Sequence, residues 1–270
     1  MSQVDISQLI DLERYPIDRP RDPAYAELLR AGRLALEQQA LFSMPGFVRP
    51  EAVEPMAREL EAQMANSCRY DRQRNAYVIR DDEPEWPPGH PRNRLHRCSY
   101  NQVLNYQIPN DSGLRRIYYW QPLTDFLREL VGFDSFYRSD CPHLALSAKI
   151  AGEGDTDGWH FDTNDVVFSL LLQLPEGGGE FEYAPYIRSH DDENFDGVNG
   201  VVDDPQGYAQ RPGMGLGDFN VFMGDLSLHR VTPVVGSRRR IVALFCYDRD
   251  PGMVFDQSYI EELQASMTSA

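Results

Sequence analysis

The stretch DVVFSLLLQL, residues 165–174, is a near-continuous apolar run between Asp165 and the turn sequence PEGGGE. Such a run between turn residues predicts a strand that is buried on both faces. Further short segments of the same kind, separated by Gly, Pro and Asp, predict an all-β sandwich or barrel over residues 143–250. We expect the segment EFEYAPYI (180–187) to form a hairpin with DVVFSLLLQL (165–174). The other predicted strands are HLALSAKIAG (143–152), EFEYAPYI (180–187), FNVFMGD (219–225), HRVTPVV (229–235) and RRRIVALFCYD (238–248).

The first half of the chain carries helical patterns. One of them has apolar residues at three- and four-residue steps, which predicts a helix packed by one face on a core: Val53, Met56, Leu60 and Met64. These helices have too little apolar surface to fold alone, so we expect them to buttress the sheet. The predicted helices cover residues 23–42, the stretch after Pro50, and residues 122–132.

We therefore expect a single domain over residues 1–270. Within it, residues 69–97 are rich in arginine and proline, which predicts a long surface loop. A loop of this length is either a lid or binding segment, or a solvated connection. The predicted parts are a polar arm (1–22), a helical N-terminal region with this loop (23–142), a catalytic core (143–250) and a tail (251–270).

Composition and charge exclude several classes of partner. The 270 residues include 26 Lys and Arg against 42 Asp and Glu, a formal net charge of −16. Such a chain repels phosphate backbones and anionic lipid surfaces, so we expect neither nucleic acid nor a membrane as partner. Four cysteines without a closely spaced pair, no recognisable leader and no apolar run of about 18 residues predict a cytoplasmic protein. The oligomeric state stays open.

The sequence DGWHFDTND, residues 157–165, contains a candidate metal site. His160 and Asp162 are two residues apart, and on an extended segment such residues face the same way. His190 and Asp192 repeat the spacing, but they lie in a polar acidic run that predicts a solvated loop. His229 follows a predicted strand and is the candidate third ligand. Two histidines and one carboxylate on one face of a metal suit non-haem Fe(II) oxygenases.

A basic cluster follows His229 at the start of the last predicted strand. An arginine there can reach inward and hold the far carboxylate of a dicarboxylate co-substrate, because its guanidinium pairs with carboxylates through two hydrogen bonds. Alternation along a strand does not separate Arg238 from Arg240, which share one face. We favour Arg240, because continuous strand follows it, and keep Arg238 as the second candidate.

These motifs, in this order, resemble the Fe(II)/2-oxoglutarate-dependent dioxygenases: WHFD, PEGGGEFEY, GDFNVFMGD and HRVTPV followed by an arginine on a strand. The resemblance implies a mainly β fold, a double-stranded β-helix of jelly-roll or cupin type with buttressing N-terminal helices. It also implies that His160, Asp162 and His229 bind Fe(II) and act in catalysis. Arg240 or Arg238 would bind 2-oxoglutarate, and O2 would be the second co-substrate.

Within this superfamily the chain is most similar to the branch of free-amino-acid halogenases and their hydroxylase relatives. In the halogenases a Gly or Ala replaces the carboxylate ligand and leaves room for chloride. Asp162 is present here, which favours hydroxylation or desaturation over chlorination. The expected reaction oxidises a C–H bond of a small molecule such as a free amino acid, with succinate and CO2 as co-products.

The substrate contacts are less defined by sequence, and several other functions stay open. Candidate contacts are Arg97 in the long loop, His143 on a strand, and Asp157 and Trp159 beside the metal motif. One alternative is a non-redox cupin-type metalloenzyme, which would not turn over 2-oxoglutarate. Another is a binding β-sandwich without catalysis, which would not need all three metal ligands. A peptide or protein hydroxylase of the same fold differs only in its substrate.

Overall fold

Fourteen strands and seven helices make up the part of the chain that this computed structural model describes, residues 5–77 and 85–265. The helices are α1 (Pro23–Gln39), α2 (Pro50–Glu61), α3 (Gly113–Tyr119), α4 (Gln121–Val131), α5 (Phe195–Asp203), α6 (Pro205–Tyr208) and α7 (Gln257–Ala265). The strands are β1 (Leu41–Met44), β2 (Cys68–Arg74), β3 (His96–Val103), β4 (Tyr137–Arg138), β5 (Leu146–Ala151), β6 (Asp157–His160), β7 (Val167–Gln173), β8 (Gly177–Gly178), β9 (Phe181–Ala184), β10 (Phe219–Phe222), β11 (Leu228–Val231), β12 (Val234–Val235), β13 (Arg240–Phe245) and β14 (Tyr247–Asp248).

Ten of the strands form one curled antiparallel sheet. Its order is β1-β10-β7-β13-β5-β3-β6-β11-β9, and β2 pairs with β3 as a branch. Apart from the β2–β3 pair, the neighbours in this sheet are non-consecutive strands, as in a jelly roll, where the chain crosses repeatedly between two parts of the sheet. The predicted mainly β, jelly-roll class with added helices is confirmed.

The two faces of the central strands carry different side chains. On the outer face, apolar residues pack against the N-terminal helices in one continuous core, which includes Ile150 of β5, Phe168 of β7 and Ala243 of β13. The alternate residues turn to the inner face, the side of the sheet directed away from those helices. This face includes Lys149 and Arg240.

The N-terminal helices begin and end where local chemistry allows. Asp22 caps α1 by accepting a hydrogen bond from the Ala24 backbone N–H (2.9 Å), and Pro23 occupies the first helical position. The helix ends at Gln39, earlier than predicted, because Ala40 is left-handed and β1 follows at once. In α2 the predicted apolar stripe is buried, with Met64 just beyond its end partly buried against the same core.

The predicted loop over residues 69–97 is wrong at both ends. Strands β2 and β3 pair there in antiparallel register, with Tyr70 opposite Tyr100. The prediction failed because β2 carries four charged residues, none of them buried. Such a segment resembles a solvated loop in sequence, although pairing with β3 extends it. The middle of the predicted loop, residues 78–84, lies outside the described residues.

Both chain ends are more structured than an arm and a tail. Ile10 is buried and bridges to Val48, and Tyr15 donates a hydrogen bond from its hydroxyl to the Pro45 carbonyl. At the other end, α7 buries Ile260 and Leu263. Residues 1–4 and 266–270 of these predicted segments lie outside the described residues.

The predicted hairpin between residues 165–174 and 180–187 is also wrong. Strand β7 pairs with β10 and β13, whereas β9 pairs with β11. The glycine-rich turn between them therefore crosses from one part of the sheet to the other. Gly178 has a positive φ of 59°, and a Cβ there would collide with the Pro233 carbonyl, so this crossing requires glycine.

None of the helices within residues 5–77 and 85–265 is long and apolar enough to cross a membrane.

Candidate metal and carboxylate site

Three side chains converge at one end of the inner face. His160 ends β6 and stands directly opposite His229 of β11 in the strand register. Asp162 follows β6, and its Oδ2 lies 3.2 Å from Nε2 of His229, while its Oδ1 lies 3.7 Å from Nε2 of His160. One ligand atom from each side chain lies within 4.8 Å of the others, so the three can hold one metal ion.

Backbone carbonyls orient both imidazole rings. Nδ1 of His160 lies 2.7 Å from the Gly158 carbonyl oxygen, and Nδ1 of His229 lies 2.9 Å from the Ser227 carbonyl oxygen. A carbonyl can only accept, so each Nδ1 carries a hydrogen, and the neutral form of such a ring presents the lone pair of Nε2. Nε2 is then free to bind metal, an arrangement common among histidine ligands.

Burial and mutual contact set the charges of the ligands. Burial, together with the neighbouring His229, lowers the pKa of His160 to about 3, so the imidazole is neutral. Burial alone would raise the pKa of Asp162, but His229 and His160 hold it below its usual range. Two imidazoles and one carboxylate are the donor set of non-haem Fe(II) oxygenases, so these residues fit that metal.

Gly224 makes the space that Asp162 occupies, and the sequence analysis missed it. The Asp162 backbone N–H donates to the Gly224 carbonyl (3.1 Å), which anchors the residues after β6. A Cβ at position 224 would lie 1.9 Å from Oδ2 of Asp162. The signal in the sequence was the glycine between a buried strand and an aspartate, in FNVFMGD.

Arg240 projects from the first residue of β13 into the inner face. It is only 8% exposed, its Nε has no hydrogen-bond partner, and no carboxylate of the described residues forms an ion pair with it. Burial lowers its pKa to about 10, which reflects the cost of a buried, unpaired charge. A bound carboxylate would relieve that cost, so the side chain fits an anionic ligand.

Arg238, the second candidate, lies elsewhere. It precedes β13, is exposed, and donates to the Pro175 carbonyl (3.2 Å). The alternation argument could not separate the two arginines because β13 begins only at Arg240, where pairing with Ala151 of β5 starts.

The structure places the four candidate substrate contacts in different environments. Asp157 is buried on the inner face, and its Oδ1 lies 3.9 Å from Nδ1 of His160. Trp159 is buried in a separate apolar cluster, where the Arg230 guanidinium lies 4.6 Å from its ring centre. Arg97 is exposed and paired with Asp71, and Nε2 of His143 lies 3.1 Å from the Gln264 amide, so neither contacts the three ligands.

Two further charged side chains of the inner face were not proposed as site residues. Lys149 donates from Nζ to Oδ2 of Asp157 at 2.6 Å, and Arg74 lies 3.4 Å from Oδ1 of the same carboxylate. Lys149 is the only lysine of the sequence, but no sequence motif places it beside Asp157. His190, by contrast, is exposed in the acidic loop, as expected.

Similar solved structures share this fold at low sequence identity. A 2OG-Fe(II) oxygenase family oxidoreductase from Burkholderia pseudomallei is 14% identical over 83% of this chain and 92% of its own, with a TM-score of 0.51. HygX from Streptomyces hygroscopicus, solved with nickel and 2-oxoglutarate, is 13% identical over 81% and 86%, with a TM-score of 0.54. A Pseudomonas putida prolyl-4-hydroxylase is 13% identical over 81% and 98%, with a TM-score of 0.50. The fold is therefore that of the 2-oxoglutarate–Fe(II) oxygenases.

The family can be stated more narrowly. The family model described as Halogenase D (HalD) matches residues 91–262, more than half of the chain. The protein belongs to this Halogenase D family, and the resemblance to the halogenase and hydroxylase branch is confirmed. No curated protein matches the sequence.

Proposed function

We propose that this protein is an Fe(II)- and 2-oxoglutarate-dependent hydroxylase of a small molecule, with free amino acids as the leading substrate class. The observation that carries the proposal is the pairing of a complete two-histidine, one-carboxylate set with the buried, unpartnered Arg240 on the same inner face. The Halogenase D membership supports a free amino acid as substrate, because the branch it resembles acts on such molecules.

Each residue has a separate task in this proposal. His160, Asp162 and His229 hold the metal, and Arg240 pairs with the far carboxylate of 2-oxoglutarate. With both bound, the site would supply oxidative decarboxylation of the co-substrate coupled to C–H oxidation. The rigid strands position one substrate C–H bond and keep water out, which is the protein's share in cofactor chemistry.

Asp162 favours hydroxylation over chlorination. Its carboxylate takes the ligand position that is empty in the halogenases, and both of its oxygens face the two histidines. A halide therefore has no place among the ligands. The expected product carries a hydroxyl group, or is desaturated, whether or not chloride is present.

Three measurements test the proposal. Anaerobic addition of Fe(II) and 2-oxoglutarate to the purified protein should produce the weak visible charge-transfer band of the chelate. A screen of free amino acids should find one that stimulates succinate release. Mass spectrometry of that product in saturating chloride should show added oxygen or lost hydrogen. A chlorinated product would contradict the role assigned to Asp162, and absence of succinate with every substrate class, peptides included, would contradict the function.

A further inference from the structure

Lys149 occupies an unusual place for a lysine. It is the only lysine of the chain, and it lies in β5, which is covered on both sides by β3 and β13. Its register partners on those strands are Gln102 and Val242. The side chain is nevertheless 25% exposed. The side chain is on the inner face, so part of it is accessible there.

The surroundings of Lys149 leave one positive charge unbalanced. Lys149 and Arg74 share a single carboxylate, that of Asp157. The hydroxyls of Tyr100 and Tyr259 and the thiol of Cys98 carry no compensating charge, because burial raises the pKa of each and keeps it protonated. Nζ of Lys149 also lies 4.4 Å from the ring centre of Tyr100, and one donor to Asp157 leaves two of its hydrogens unused.

This charge is connected to the metal ligands through Asp157 and is distinct from Arg240. Asp157, which holds Lys149, is 3.9 Å from Nδ1 of His160. Arg240 stands opposite Ala151, so it and Lys149 are diagonal neighbours on adjacent strands of the same face. The inner face therefore offers two cationic positions, of which the co-substrate needs one for its far carboxylate. Gln102, opposite Lys149, has a buried Nε2 without a hydrogen-bond partner, a further polar group with no role in the fold.

Resting on the proposed function, we propose that Lys149, held by Asp157 and flanked by Arg74, binds the carboxylate of the substrate. Arg240 binds that of the co-substrate. The substrate is then a carboxylic acid, such as an amino acid with a free α-carboxylate, and its amide or ester is excluded. A peptide-bonded residue inside a chain lacks this carboxylate and is excluded for the same reason.

The single lysine allows a direct test by NMR. Protein grown with ¹³C,¹⁵N-lysine gives one set of lysine side-chain signals, which belongs to Lys149. The protein is loaded with Zn(II) and saturated with 2-oxoglutarate, then titrated with a mixture of free amino acids and, separately, with the corresponding amino acid carboxamides. We expect a saturable shift of the Lys149 signal with the acids and none with the carboxamides. Equal shifts with both, or no shift with either, would overturn the proposal.

Two matched variants separate the two sources of carboxylate. Calorimetry on the Zn(II)-loaded protein measures the affinity for 2-oxoglutarate, and succinate release measures the KM of the stimulating amino acid. Lys149→Met should leave the affinity for 2-oxoglutarate unchanged and raise the KM ten- to hundredfold, the usual effect of losing one charged hydrogen bond. Arg240→Met should lower the affinity for 2-oxoglutarate and leave the KM of the amino acid unchanged. A fall in 2-oxoglutarate affinity in Lys149→Met would show that Lys149 serves the co-substrate and would overturn the proposal.

Two further outcomes keep this test separate from that of the overall function. If Lys149→Met does not fold, two other experiments decide. One is the same pair of measurements on Lys149→Arg, which keeps the charge, and the other is the NMR titration of the unchanged protein. Should the protein release no succinate with any compound, the proposed function fails, while the Lys149 signal still reports whether free carboxylates bind there.

Discussion

The two faces of strands β5, β7 and β13 differ in whether their side chains find packing or hydrogen-bond partners within the protein. On the outer face, Ile150, Phe168 and Ala243 are almost completely buried in one apolar core. On the inner face, Arg240 is also buried, at 8% exposure, but its Nε has no hydrogen-bond partner. The outer face stabilises the fold, whereas the polar groups of the inner face gain their missing partners only from ligands.

This difference has an energetic cause. Burying apolar area stabilises a fold by roughly 25 cal/mol per Å², whereas a buried donor without a partner costs about 1–3 kcal/mol. A protein that evolved only for stability would not retain such a donor. The inner face therefore binds ligands at the expense of stability. Substitutions on the outer face should lower stability, whereas substitutions on the inner face should lower ligand binding or activity.

The largest expected effect is on the inner face at the metal ligands. His160→Ala or His229→Ala should abolish iron-dependent succinate formation, because each removes one of three ligands. The fold should persist, and metal content can be measured directly on the purified variants. His190→Ala is the matched control, since this exposed histidine lies outside the site, and it should retain iron and activity. Full activity in His229→Ala would contradict the ligand assignment.

The next largest effect is expected on the outer face. Phe168 packs against two aromatic rings. Its ring centre lies 5.1 Å from that of Tyr247 and 5.7 Å from that of Phe136. Phe168→Ala should lower the free energy of unfolding by about 3–5 kcal/mol, because it leaves a cavity in the core. Urea denaturation measures this loss. Ser169→Ala, one residue along on the inner face, should change stability by less than about 1 kcal/mol. A loss of equal size in both variants would remove the distinction between the faces.

A smaller effect is expected at the co-substrate arginine. Arg240→Met should raise the 2-oxoglutarate concentration needed for half-maximal rate about ten- to hundredfold, since charged hydrogen bonds contribute about 1.5–3 kcal/mol. Stability should not fall, because the variant removes a buried charge without a partner. Arg238→Met is the control and should leave the co-substrate requirement unchanged. If the two variants exchange these results, Arg238 is the co-substrate ligand.

The smallest expected effect concerns pH. Burial lowers the pKa of His96 to about 4, and the nearby Arg94 and Arg230 contribute. An unfolded histidine titrates near pH 6.5, so between about pH 6.5 and 4 the unfolded chain binds a proton that the folded chain does not. His96 therefore contributes stability above pH 6.5 that is lost as the pH falls.

His96→Asn should reduce this dependence. The free energy of unfolding of the variant should fall by roughly 1.5–2 kcal/mol less than that of the unchanged protein between pH 7 and 5, as measured by urea denaturation. The exposed His190→Asn should keep the original slope. Identical slopes in all three proteins would show that His96 is protonated as readily in the fold as in the unfolded chain.

Much of the fold was predictable because its signals are local. The apolar run of β7 and the short segments bounded by turns indicate strands, and the stripe of α2 indicates a packed helix. Predictions failed where the partner strand is distant in sequence. The charges of β2 hide a strand that only pairing with β3 reveals, and β7 pairs with β10 and β13 instead of the segment that follows it.

The sequence by itself determined the three candidate metal ligands, because His160 and Asp162 share a local spacing and His229 follows a strand that is apolar enough to recognise. Only the tertiary structure decided between Arg240 and Arg238, since the first residue of β13 is set by pairing with β5. Only it placed Lys149, Arg74 and Asp157 together, because Arg74 is distant in the chain and the consecutive strands β5 and β6 do not pair with each other but are both neighbours of β3. The directions of buried side chains depend on strand register, and register is a property of pairs of strands that no single segment contains.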